Sequence, residues 1–139
     1  MLVKSLVSNV SLAVFAMGVA ASAQAADPSE ELGAVEYAAA CAVCHGEGGK
    51  GDGELLNLLT EAPSDLTVLS ANNDGEFPWL NIIKLVDGRG EMRSHGSVMP
   101  VWGDRFKADL GDKAGPYGSE LVVRGRVLSL VYYLESIQQ

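Results

Sequence analysis

The sequence predicts an all-α domain. Two stretches set apolar residues at helical spacing: Trp79, Ile82, Ile83 and Val86, then Val123, Val127, Leu130, Val131, Leu134 and Ile137. No stretch shows the strict alternation of a half-buried strand. The 139 residues suffice for one ordinary domain, and neither an internal repeat nor a second domain is visible.

The elements follow in chain order. Lys4, the apolar run Leu6 to Val19 and the small-x-small triplet Ala23-Gln24-Ala25 read as an export signal. Residues 1–25 are therefore expected to be a cleaved signal peptide and 26–139 the mature domain, with no permanent membrane span after cleavage, because the run is short for a bilayer. Asp27-Pro28-Ser29-Glu30 combines a cap, a first-turn proline and a glutamate three residues after the cap, opening a helix expected to reach Cys44. Gly46 to Gly53, with five glycines, is a loop. Leu55 to Thr60 and Asp65 to Leu69 read as short helical turns, and Asn72-Asn73-Asp74-Gly75 as a turn. Pro78 opens the next helix and Gly88 closes it. Gly90 to Pro100 is expected to be a loop, Trp102 and Phe106 to share a face of a short helix, and Ser119 to Gln138 to form a long final helix.

Charge narrows the partners. The formal net charge is −8, and beyond the leader nine basic residues face eighteen acidic ones. That balance argues against nucleic acid or an anionic membrane surface and favours a partner with a basic docking patch. Solubility alone would explain the same charge.

The sharpest chemical signal is Cys41-Ala42-Val43-Cys44-His45, which holds both cysteines of the chain. C-x-x-C-H is the attachment signature of c-type haem. On a helical turn the two thiols share one face. Both then reach the vinyl edge of a porphyrin, while His45 presents its imidazole to the iron. Three rival readings fit less well. A thioredoxin-like site needs a strand-helix-strand frame, a zinc site needs a fourth ligand when His95 is the one other histidine, and a disulfide leaves His45 without a role.

Across nearly the whole mature length, the chain resembles class I cytochromes c of the bacterial soluble type. Gly33 and Tyr37, eight and four residues before Cys41, match the glycine and aromatic of that family's first helix. Tyr133-Leu134 matches the aromatic-leucine pair of its last. The resemblance implies an all-α class I cytochrome c fold, with the terminal helices packed together around one covalent haem c. It also implies that Met99, in Met99-Pro100 and 54 residues after His45, is the distal iron ligand. Met92 and His95 are the competitors. Pro63 is expected to mark the carbonyl that receives the His45 ring N–H. Arg89, Arg93, Arg105, Trp79 and Trp102 are candidates for the propionate side, with Trp102 the strongest. The expected role is a monomeric, periplasmic one-electron carrier between a redox donor and acceptor, not an enzyme. A haem subunit of a larger oxidoreductase, or a haem enzyme or gas-binding cytochrome with a labile sixth site, is the alternative.

Overall fold

A computed structural model of the protein describes residues 27–89 and 99–139. Five α-helices are present among these residues, and no strand: α1 (Pro28–Ala40), α2 (Ala42–His45), α3 (Trp79–Asp87), α4 (Trp102–Leu110) and α5 (Gly115–Ser136). Three single 3-10 turns, Leu56–Leu58, Leu66–Val68 and Ala71–Asn73, fill the long connection from α2 to α3. The all-α expectation holds for the described residues. The proposed signal peptide, together with Met92, Arg93 and His95, lies outside the described residues.

α1 begins as its sequence directs. The Asp27 carboxylate accepts the Ser29 backbone N–H at 2.8 Å, and Pro28 occupies the first turn, where a missing N–H costs nothing. The expected single helix from Pro28 to Cys44 is, however, two. At Cys41 the backbone widens to φ −115°, and the hydrogen bonding restarts from the Cys41 carbonyl, which accepts from Cys44 at 3.1 Å and His45 at 2.9 Å. α5 starts four residues earlier than its apolar pattern indicates. Pro116 is tolerated in its first turn, so the helix takes in Gly115-Pro116-Tyr117-Gly118, which carry no apolar stripe.

The core lies between α1 and α5, with α3 and α4 packed onto α5. The seam expected on α5 is buried from Val123 to Leu134, with Ile137 half-buried at its end. Tyr37, Ile82, Val86 and Phe106 complete the core from the other three long helices. Gly33 is the close point of the α1–α5 crossing. A Cβ there would run into the Ser129 carbonyl and lie 2.8 Å from Tyr133 Cβ. The missing side chain thus lets two helix backbones touch, and the Tyr37 and Tyr133 rings meet beside them at 5.1 Å.

Candidate functional site

A partly open cleft of about 260 Å³ is bounded by α1, α2, α3, the Leu59–Leu69 stretch, Met99-Pro100, Trp102 and α5. Its volume lies just under the ~300–1,000 Å³ usual for small-molecule sites, which makes it far larger than a packing void. Most of the wall is aliphatic: Leu66, Leu69, Ile82, Val86, Leu130 and Leu134 all face it. Into this wall the chain inserts Cys41, Cys44, His45 and Met99.

The Gly-rich loop builds the His45 side. Gly46, Gly49 and Gly51 have φ of +80°, +75° and +77°, a region that L side chains rarely adopt. The loop folds back on α2, so that Gly51 N–H bonds the His45 carbonyl at 2.8 Å and Gly53 N–H the Cys44 carbonyl at 3.2 Å. Tyr37, from α1, donates its hydroxyl to the Gly46 carbonyl at 2.6 Å. Burial is the main reason its phenol is pushed well above the ordinary tyrosine range. The far side of the same loop lies against Pro63. A Cβ on Gly51 would strike the Pro63 carbonyl, and Leu66 N–H bonds the Gly49 carbonyl at 2.6 Å.

This packing sets the histidine. His45 Nδ1 lies 3.1 Å from the Ser64 carbonyl oxygen. A carbonyl only accepts, so Nδ1 is the donor, and in the neutral ring Nε2 then keeps its lone pair. The acceptor is therefore Ser64, one residue beyond the expected Pro63. Pro63 lines the cleft and turns its own carbonyl toward Gly51.

The cysteines are free thiols, Cys41 buried and Cys44 half-buried. Burial first, then the neighbouring Cys44 and Glu36, pushes the Cys41 thiol up to about 12, so it stays protonated at neutral pH. Among the described residues, no group of three or more His, Cys, Asp or Glu side chains is gathered to hold a metal ion. None of the described helices is long and apolar enough to cross a membrane.

The candidates for the propionate side divide. Trp102 lines the cleft and packs on Phe106 at 5.8 Å. Arg105 reaches the site only through Trp102, with its guanidinium 5.3 Å from that ring. Trp79 lies away from the cleft, donating its indole N–H to Glu135 at 2.9 Å and meeting Tyr132 edge-on at 4.8 Å. Arg89 is committed to two carboxylates, Asp87 at 2.6 Å and Glu120 at 2.7 Å. Sequence reasoning missed Ser64 and Glu120. The five glycines from Gly46 to Gly53 were the only sequence feature near the first, and they do not name the acceptor.

No family model, curated protein or solved structure matches this chain.

Proposed function

We propose that this chain is a monohaem c-type cytochrome of the class I fold that works as a periplasmic one-electron carrier. One observation carries the reading: the C-x-x-C-H segment and Met99, 54 residues apart, line a single aliphatic cleft. The crossing of α1 and α5 at Gly33, with Tyr37 against Tyr133, supports the fold assignment.

The residues present fit the group. Two free thiols three positions apart, an imidazole with its Nε2 lone pair available and a thioether share one apolar wall. When bound there through Cys41 and Cys44, with His45 and Met99 on its iron, haem supplies a one-electron couple.

The chain's own part is to orient and to exclude water. The Ser64 carbonyl fixes the tautomer and plane of His45 and raises its basicity as a ligand. The aliphatic wall keeps the site dry and its local dielectric low. The Met99 thioether would supply the iron with a neutral, soft donor that favours the reduced metal. An acidic surface favours brief docking to partners with basic patches, donor and acceptor alike, at interfaces below roughly 1,200 Å².

Visible and near-infrared spectra of the purified protein test this. The oxidised form is expected to show the weak red charge-transfer band of methionine-ligated ferric haem, and Met99→Ala to abolish it. A band that survives the substitution overturns Met99 as ligand. Replacing Cys41 and Cys44 together with serine is expected to free the haem under denaturing conditions. Haem still attached to the double variant overturns the thioether reading.

A further inference from the structure

Met99 stands two residues before a close contact between the end of α3 and the start of α4, a pairing that forms a stem. Before it, Gly88 ends α3 with φ +66°; after it, Val101 leads into α4. A Cβ on Gly88 would lie 3.2 Å from Val101 Cγ1 and 3.3 Å from Val101 Cα. One step further out, Gly103 presses on the other side of the stem. A Cβ there would strike the Asp87 carboxylate and lie 2.5 Å from Arg89 Nε. Residues 87–89 and 101–103 therefore lie side by side, and Met99 emerges two residues from the contact.

What ties this stem to the rest of the protein is Arg89. Its Nε donates to Asp87 Oδ1 at 2.6 Å, within the stem. Its two terminal nitrogens fork onto Glu120 of α5, at 2.7 and 3.1 Å. Arg124 also donates to Glu120, onto Oε1 at 3.0 Å. Further along the same helix, Leu130 and Leu134 face the cleft. The guanidinium so links the chain that delivers Met99 to the helix that forms the cleft's floor. Its side chain is 19% exposed, enough enclosure for a bidentate pair to hold a geometry as well as a charge.

We propose that Arg89, bridging Asp87 and Glu120, is a positioning residue that holds Met99 in place as the distal ligand. The proposal rests on the haem reading above and adds to it a residue outside the cleft. A planar fork is required, so lysine at this position is not equivalent. Gly103 belongs to the same device, because a side chain there would displace the fork while leaving all charges in place.

The test is competition for the sixth position. Imidazole is titrated into the oxidised holoprotein while the red charge-transfer band is followed. Arg89→Gln is expected to tighten apparent imidazole binding about fivefold, the factor that corresponds to losing a well-formed, partly enclosed ion pair. Arg89→Lys is expected to give nearly the same shift, and Glu120→Gln and Gly103→Ala a shift in the same direction. Arg126→Gln is the control. Arg126 makes a comparable fork, onto Glu36 of α1 at 2.7 and 2.8 Å, and its remaining contacts, Asp109 at 3.1 Å and the Phe106 ring, lie further along α4 than the stem residues 101–103. Its loss is expected to lower the unfolding midpoint without altering imidazole affinity.

The proposal is overturned if Arg89→Gln and Glu120→Gln bind imidazole as the wild type does, or if Arg126→Gln tightens binding equally. Full rescue by Arg89→Lys overturns the requirement for a fork. If Arg89→Gln does not fold, Glu120→Gln and Gly103→Ala decide. A wild-type protein without the charge-transfer band overturns the carrier reading and this inference together, whereas a band with unchanged variants overturns this inference alone.

Discussion

Two parts of the cleft wall, the α1–α5 crossing and the stem beside Met99, are fastened by different physics. At the crossing, backbone touches backbone at Gly33 and Ser129, and Val127, Leu130, Val131 and Leu134 are buried alongside. At the stem, two glycines permit the approach, and an ion cluster with side chains 19–35% exposed ties it to α5. Apolar burial responds little to salt or acid, whereas partly exposed ion pairs respond to both. The histidine side of the cleft is thus a fixed frame, and the methionine side rests on contacts that solution conditions reach.

Breaking the crossing gives the largest expected effect. Gly33→Val places atoms where the Ser129 carbonyl stands, and a helix backbone cannot yield as a side chain does. A loss of about 3 kcal/mol is expected, the upper range for overpacking, read as a lower urea midpoint. A wild-type midpoint would mean that the helices are not in backbone contact. Tyr37→Phe is milder: it keeps the ring on Tyr133 and deletes the hydroxyl bond to Gly46. It leaves the buried Gly46 carbonyl with only the longer bond from Gly49 N–H at 3.2 Å, at a cost of about 1 kcal/mol. An unchanged midpoint would remove the hydroxyl from the account of how the Gly-rich loop is held.

The smallest effect sharpens the contrast. Arg89 first, then Arg124, holds the Glu120 carboxylate down from its ordinary 4.5 to about 2. A carboxylate with a depressed folded value stabilises the protein above its unfolded value, and that contribution fades as pH falls from about 4.5 toward 2. Glu120→Gln is therefore expected to be less stable than wild type at neutral pH, with the difference vanishing near pH 2. A difference that persists in that acid range would show that packing, not charge, holds this corner.

The fold was largely legible because its long helices announce themselves by period. Ile82 and Val86 on α3, and Val123 to Leu134 on α5, are buried as their spacing requires. Gly33 and Tyr37 acquired meaning from their distance to Cys41. Other features left no such trace. The carbonyl that receives the His45 proton belongs to Ser64, and a backbone acceptor has no residue signature; its place depends on three left-handed glycines upstream. Arg89 and Glu120 are 31 positions apart, and Trp79 and Glu135 56. Periodicity identifies the buried face of one helix but does not say which charge on a distant helix will meet which cation.

The contact between Gly33 and Ser129 has a consequence for biogenesis. It joins points roughly 100 residues apart, and closing a loop of that length costs about 4 kcal/mol of chain entropy. A nascent chain that contains α1 and the C-x-x-C-H segment, but not yet α5, lacks the surface against which Tyr37 and the cleft wall are completed. Through that interval Cys41, buried in the finished protein, has no α5 above it. The order of synthesis thus leaves both thiols open to chemistry early, and Cys41 is enclosed only when the last helix of the crossing arrives.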